Sequence, residues 1–168
     1  MSEPDPATEE TLQSLVSEMN GVGGTAEDAA PTARTEAVVA ETADALYDDP
    51  TLALDDGLVK QSLPELLLAL VVLRTGGTHG KGVMDDIEEF FGADLSPGTV
   101  YPVLHDLKEE GRLSVHELVQ TKEYSVDDED SAADMLRRAT RQHLALGLIF
   151  QWGLETVSDD DEDRTLGR

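Results

Sequence analysis

The fold is decided by the stretch LSPGTVYPVLHDLKEEG, residues 95–111. Ser96 is a typical helix N-cap residue, and Pro97 suits the first helical position because its missing N–H needs no partner there. Gly111 is the residue type that ends helices in a left-handed conformation. These signals predict a helix from Ser96 to Glu110. Its apolar residues recur at helical spacing and form one buried stripe: Val100, Val103, Leu104 and Leu107.

Two helices are predicted before this stretch and two strands after it. Leu63–Arg74 is apolar nearly all round, which predicts a buried helix, and Ser62 with Glu65 resembles a capping box. A second helix is expected at Gly80–Phe91, with acidic residues on its outer face. Alternating apolar residues on either side of Gln120–Lys122 predict two short strands. Three helices followed by a β-hairpin is the order of a winged helix-turn-helix, so the fold class is mainly α with a small β-hairpin.

In that fold the helix at 96–110 lies in the DNA major groove, where the base edges distinguish all four base pairs. Ser96, Thr99 and Tyr101 stand near its start and are candidates for phosphate contacts. His105 and Lys108 are candidates for base-edge or phosphate contacts farther along. On the same side Asp106 and Glu109 oppose DNA binding, and Tyr101 and His105 have the alternative of packing or facing solvent.

Several of these motifs resemble the PadR family of transcriptional repressors. They are Thr78-His79-Gly80, the Leu95–Leu107 stretch, Glu109-Glu110-Gly111 and Glu123-Tyr124-Ser125-Val126. The resemblance covers about residues 62–128. It implies a homodimer that binds double-stranded DNA at a pseudo-palindromic operator, usually represses transcription, and is sometimes released by a small ligand.

The chain departs from the family pattern at two places. The wing is usually rich in glycine and arginine, whereas here Gln120-Thr121-Lys122 leaves Lys122 as the only cation at the tip. Lys81 follows His79-Gly80 where the family commonly has an aromatic residue, and we expect it to reach a phosphate. Lys81 and Lys122 therefore complete the predicted DNA-contacting set, and whether the wing contacts DNA stays open.

A long C-terminal helix is expected at about Ala132–Val157, with an N-cap at Asp130 or Ser131. Its apolar stripe would expose a large patch unless a second copy covered it, so we expect dimerisation there. Phe150 and Trp152 lie on this helix. In some family members such an aromatic lines a pocket for a small aromatic effector; we favour the simpler interpretation that both residues fill the interface.

The chain is strongly acidic, with 36 Asp and Glu against 12 Lys and Arg and a net charge of −24. The acid is spread along all 168 residues, which favours adaptation to molar salt over a localised acidic tail. With no cysteine and four dispersed histidines, neither disulfides nor a metal site is expected, and no cofactor is predicted. No catalytic motif was recognised. A glycine-rich stretch at 76–82 lacks the spacing of a phosphate loop.

Four segments follow from these patterns. Residues 1–59 form an acidic extension, either a flexible arm or helices (Thr8–Met19 and Thr35–Tyr47) that dock on the dimer; 60–128 form the DNA-binding domain, 129–157 the dimerisation helix and 158–168 a loose acidic tail. No signal peptide or bilayer-length apolar run is present, which predicts a cytoplasmic protein. The predicted function is non-enzymatic, sequence-specific transcriptional regulation. The alternatives are a winged-helix adaptor that binds protein and a small-molecule sensor.

Overall fold

The computed structural model describes residues 26–47, 52–74 and 76–165. Its elements, in chain order, are α1 (Ala26–Leu46), α2 (Asp56–Gln61), α3 (Leu63–Leu73), β1 (Thr78–His79), α4 (Gly80–Phe91), α5 (Pro97–Glu109), β2 (Leu113–Glu117), β3 (Lys122–Val126) and α6 (Glu129–Thr165). The predicted fold class is confirmed: a helix-rich winged helix-turn-helix carries a small sheet and a long C-terminal helix.

The sheet has three antiparallel strands in the order β1-β3-β2, one more than the hairpin that the sequence predicted. Thr78 pairs with Tyr124 and His79 with Glu123, so two residues directly before α4 form an extra strand beside the wing. A two-residue strand has no periodicity of its own, so sequence patterning could not reveal it. The added strand ties the start of α4 to the base of the wing.

The core lies between α3, α4 and α5. Leu67 and Leu68 of α3 are fully buried, as are Val100 and Leu104 of α5 and Ile87 of α4. Burial of each such side chain contributes about 1.5–3 kcal/mol relative to exposure. Because the buried stripe of α5 is held by this core, its opposite side is turned outward.

Three predicted helix starts differ in detail. Ser62 and Ser96 occupy N-cap positions, but neither hydroxyl makes a capping hydrogen bond. The Ser62 hydroxyl lies 3.0 Å from Nε2 of His143, and the short helix α2, capped by Asp55, runs directly into Ser62. At α6 the capping acceptor is Asp128, whose Oδ1 receives the backbone N–H of Ser131 at 3.1 Å, instead of Asp130 or Ser131.

A buried ion pair joins the end of α3 to α4. Arg74 Nε donates to Asp86 Oδ2 at 2.8 Å and Arg74 Nη2 donates to Asp86 Oδ1 at 2.6 Å. The Asp86 side chain is only 3% exposed and that of Arg74 13%. From helix periodicity Asp86 was expected on the outer face of α4 with its acidic neighbours, and that prediction was wrong. The buried charge of Arg74 draws Asp86 inward, since a buried charge needs a partner.

The acidic extension contains a docked helix. α1 packs against α3, and its residues Thr35 and Ala43 are fully buried. The helix begins at Ala26 instead of Thr35. The helix predicted at Thr8–Met19 lies outside the described residues. α1 therefore docks on its own domain, and docking of the extension on a dimer stays a prediction.

Helix α6 begins on the domain and then leaves it. Ala132 and Met135 are buried, whereas every residue from 140 to 158 is exposed. The helix also continues past Val157 to Thr165, so the expected loose tail is helical up to that residue. No helix in the described ranges is both long and apolar enough to cross a membrane.

Candidate nucleic-acid interface

The outward side of α5 is open to solvent. Tyr101, Pro102, His105, Asp106 and Lys108 are all exposed. α1 packs on α3, so the described part of the acidic extension leaves this side uncovered. The surface that the sequence analysis assigned to DNA is thus available to a duplex.

Tyr101 is positioned by close contact with the start of α4. A Cβ added at Gly80 would lie 2.6 Å from Tyr101 Cε1 and 2.8 Å from its hydroxyl oxygen. Only glycine leaves room for the ring there. This close contact explains why the His-Gly turn occurs together with Tyr101. The ring keeps 40% of its surface exposed. Nearby, burial and the charge of Tyr101 raise the pKa of the Tyr124 phenol.

The first turn of α5 carries two hydroxyls. Ser96 Oγ lies 3.1 Å from Thr99 Oγ1, and Ser96 is exposed. Neither hydroxyl caps the backbone. Pro97 has no N–H, and the N–H groups of Thr99 and Val100 donate to the Ser96 carbonyl at 2.9 and 3.2 Å, so the N–H of Gly98 is the one in this turn that can donate to an anion. Ser96 and Thr99 flank the positive end of the helix dipole, as the phosphate-contact prediction requires.

Each predicted lysine contact already has an acidic neighbour. Lys81 Nζ lies 2.8 Å from Asp85 Oδ2, and this hydrogen bond raises the pKa of Lys81. Lys108 Nζ lies 3.3 Å from Glu109 Oε1, and Lys122 Nζ lies 3.7 Å from an oxygen of Glu117. His105 Nε2 is 3.9 Å from the same Glu109 oxygen. The surface therefore presents cations whose charge is locally balanced.

A cleft of about 450 Å³ separates the wing from the start of α4. It brings together three of the seven predicted DNA contacts, namely Lys81, Tyr101 and Lys122. Ser96, Thr99, His105 and Lys108 do not line it and lie along α5. The wing contributes Leu118 and Val119 to the cleft, and neither was among the predicted DNA contacts. Val119 was expected in the first wing strand, but that strand ends at Glu117.

The tip of the wing is apolar. The N–H of Leu118 donates to the carbonyl of Thr121 at 2.8 Å and closes the turn. Val119 is fully exposed and Leu118 is 44% exposed. Turns favour Gly, Asn, Asp, Pro and Ser, so two aliphatic residues at this position were the signal that could have identified the tip.

Phe150 and Trp152 lie far along α6, and both are about 70% exposed in the single chain. The structure does not bring them to the DNA-facing surface. An aromatic pocket at these residues would require a second copy to close it.

Residues 69–129 match the family model described as "Transcriptional regulator PadR-like family". This chain carries a PadR-like domain. The matched segment runs from the middle of α3 to the start of α6 and contains all seven predicted DNA contacts. The family is one of transcriptional regulators and has no catalytic activity, in agreement with the non-enzymatic interpretation of the sequence.

The PadR-like domain has named relatives in salt-loving archaea. The chain is 38% identical over 111 residues to "Transcriptional activator GvpE" of Haloferax mediterranei, a match that covers 66% of this chain and 57% of the relative. It is 38% identical over 106 residues to "Transcriptional activator GvpE1" of Halobacterium salinarum, a match that covers 63% of this chain and 55% of the relative. The chain thus spans little more than half the length of the relatives it matches.

Two solved structures show a partial likeness to the chain. A transcriptional regulator from Clostridium thermocellum has a TM-score of 0.49 at 12% identity and covers 59% of this chain and 97% of its own. A PadR-like transcription factor from Bacteroides fragilis has a TM-score of 0.44 at 19% identity; the match covers 55% of this chain and 94% of the other.

Proposed function

We propose that the protein is a transcriptional regulator that binds double-stranded DNA as a homodimer, with α5 of each copy in the major groove of a pseudo-palindromic operator. The observation that carries this proposal is the open outward side of α5, within a segment that matches a family of transcriptional regulators. Ser96, Thr99 and Tyr101 contact phosphates at the helix start, His105 and Lys108 reach farther into the groove, and Lys81 and Lys122 flank it. Such a protein acts in the cytoplasm of an archaeal cell.

The names of the relatives bear on whether the protein activates or represses transcription. The PadR resemblance alone implied repression, whereas three relatives at 36–38% identity are named transcriptional activators. Those names favour activation for this chain. A reporter fused to the bound promoter separates the two, since deletion of the regulator lowers expression in one case and raises it in the other.

The balanced charges predict an unusual dependence on salt. Lysines that are already paired release few counterions when they meet phosphate, so affinity should fall only slowly as salt rises. Hydrogen bonds and shape then contribute most of the binding. The net charge of −24 repels DNA over long range, and concentrated ions screen that repulsion.

The apolar wing tip suits DNA binding in concentrated salt. We expect Leu118 and Val119 to contact sugar edges beside the cleft, because apolar contacts persist in concentrated salt where a lone lysine is screened. Val119→Thr keeps the shape of the side chain and adds a hydroxyl. It should weaken DNA binding several-fold at molar salt, and unchanged affinity would show that the wing stays off DNA.

The direct test is selection of a duplex from a randomised 40-bp library at about 2 M KCl, a concentration at which the Debye length is below about 3 Å. Fluorescence anisotropy then gives the affinity for the selected duplex. The triple variant Tyr101→Ala, His105→Ala, Lys108→Ala should lose at least about 100-fold in affinity, since each lost contact costs about 1–3 kcal/mol. Lys60→Ala removes an exposed cation outside the interface and serves as the control.

One outcome would replace the proposal, and another would extend it. If no duplex is enriched and a protein partner co-purifies, the winged-helix adaptor is correct, as the exposed Asp106 and Glu109 would suit a basic protein surface. If small aromatic compounds quench Trp152 and release the selected duplex, the sensor interpretation is correct as well. Fluorescence that stays unchanged across a broad panel would remove the sensor.

A further inference from the structure

A groove rich in arginine runs along the first turns of α6, beside the start of β2. It has a volume of about 980 Å³. Four of the 12 basic residues of the chain line it: Arg112, Arg137, Arg138 and Arg141. The arginines outnumber the three aspartates of the groove, although the whole chain has three acidic residues for each basic one. We call this surface the arginine groove.

Two of the four arginines are balanced by acidic neighbours. Arg112 forms an ion pair with Glu110, and its side chain is only 22% exposed. Arg137 forms an ion pair with Asp134 one turn earlier on α6. These two arginines form walls of the groove, and their charge is satisfied within the chain.

Arg138 and Arg141 carry the positive charge of the groove that is not balanced in this way. Both residues are exposed, and neither forms an ion pair with any described residue. Residues three apart on a helix lie on the same face, with Cβ atoms about 5–6 Å apart. Each guanidinium can bind a carboxylate or a phosphate through two parallel hydrogen bonds. The two side chains together therefore fit an anionic partner.

The charge along the groove is uneven, and this favours a protein partner over DNA. Asp128 and Asp130 lie at the start of α6, where Asp128 Oδ1 accepts the N–H of Ser131. Arg138 lies eight residues beyond Asp130, about 12 Å along the helix. A duplex carries one negative charge about every 1.7 Å, so phosphates beside the arginines would bring others close to both aspartates. A peptide can instead place its carboxylates at the arginine end alone.

We infer that the arginine groove docks an extended, carboxylate-rich segment of a partner protein, with Arg138 and Arg141 bound to its Asp or Glu side chains. Alternate side chains of an extended segment lie on one side, about 6.6 Å apart, which is close to the spacing of the two arginines. The inference goes beyond the proposed function and does not rest on it. None of the groove residues is among the seven predicted DNA contacts, so the groove leaves the outward side of α5 free for DNA.

The probe is a fluorescein-labelled peptide that alternates Glu and Ser, and a peptide that alternates Gln and Ser is its uncharged counterpart. Fluorescence anisotropy is measured with the full-length protein at the lowest KCl concentration at which circular dichroism shows the wild-type fold. The Glu peptide should bind, and the Gln peptide should bind at least about tenfold more weakly.

Reversal of the two charges tests the site itself. Arg138→Glu with Arg141→Glu should lose at least about tenfold in affinity for the Glu peptide, since two ion pairs are replaced by repulsion. The same variant should gain affinity for a peptide that alternates Lys and Ser. This gain would not follow from a merely structural role of the arginines.

Arg34→Glu with Lys60→Glu is the matched control. Both residues are exposed cations, on α1 and α2, and neither lines the groove. The control variant has the same net charge as the groove variant, so it separates the groove from the charge of the whole chain. It should bind the Glu peptide as the wild type does, and circular dichroism shows that each variant is folded.

Three results would overturn the inference. The first is a failure of the wild type to bind the Glu peptide, or equal binding of that peptide by the wild type and the groove variant. The second is weaker binding of the selected duplex by the groove variant but not by the control, which would assign Arg138 and Arg141 to DNA. The third is a change in the molar mass of the groove variant in light scattering, which would show that a second copy fills the groove.

The proposed function fails separately. If no duplex is enriched while the Glu peptide binds through Arg138 and Arg141, the DNA proposal is wrong and the docking site stands. The triple variant at Tyr101, His105 and Lys108 should likewise bind the Glu peptide as the wild type does, because its substitutions lie outside the arginine groove.

Discussion

The buried pair between Arg74 and Asp86 offers a sharp test of the fold. Asp86→Asn keeps the shape of the side chain but leaves the guanidinium of Arg74 largely buried without its carboxylate. Breaking a buried pair by removing one partner costs about 3–5 kcal/mol. For a chain of this size about 1 kcal/mol corresponds to roughly 2–4 °C, so we expect the melting temperature to fall by about 10 °C.

The neighbouring residue supplies the control for this prediction. Asp85 precedes Asp86 on α4 and also pairs with a cation, but the side chains of Asp85 and Lys81 are both mostly exposed. Asp85→Asn should therefore leave the melting temperature almost unchanged. The measurement is thermal unfolding by circular dichroism at molar KCl, with denaturant unfolding as a second measure.

A double variant separates the charge from the packing. Arg74→Met with Asp86→Leu replaces the pair by apolar side chains, an exchange that is often neutral in buried sites. It should recover most of the stability that Asp86→Asn loses. Equal melting temperatures for Asp85→Asn and Asp86→Asn would refute the reasoning, because the contribution of a carboxylate to stability would then not depend on its burial.

Two further predictions concern the DNA-facing surface, and a third concerns the buried Tyr124. Gly80→Ala should push the ring of Tyr101 out of place and weaken binding to the selected duplex several-fold with little change in melting temperature; undiminished affinity would mean that the ring position is irrelevant to DNA. Glu109→Gln should release Lys108 from its carboxylate, strengthen binding several-fold at low salt and steepen the salt dependence by about one unit, as measured by anisotropy across a salt series. Because burial raises the pKa of Tyr124 in the folded protein above its ordinary value, the associated stability is present below about pH 10 and is lost as the pH rises further, since the unfolded phenol ionises first. Tyr124→Phe should remove that alkaline loss in denaturant titrations, and an identical pH profile for the two proteins would contradict it.

Which wing residues are exposed and which are paired is decided by the fold. Lys122 was the expected contact, yet the structure pairs it with Glu117 across the hairpin and exposes Leu118 and Val119 at the tip. Strand alternation predicted the hairpin but could not show which tip residues project. The reason is that a turn residue's exposure depends on how the turn closes, here through the Leu118–Thr121 hydrogen bond.

The sequence by itself determined the elements whose signals are local. The cap and apolar stripe of α5 specified both its boundaries and its outward side, because helix periodicity acts within a dozen residues. The glycine at position 111, with a φ of +74°, likewise marked the end of that helix. The exposed apolar face of α6 followed from the same periodicity.

Only the tertiary structure decided the contacts between distant residues. The inward turn of Asp86 toward Arg74, the pairing of β1 with β3, the packing of Gly80 on Tyr101 and the docking of α1 on α3 each join segments with no shared local pattern. Burial is a property of the folded chain. The sequence of a run of acidic residues therefore cannot show which of them will face a buried cation.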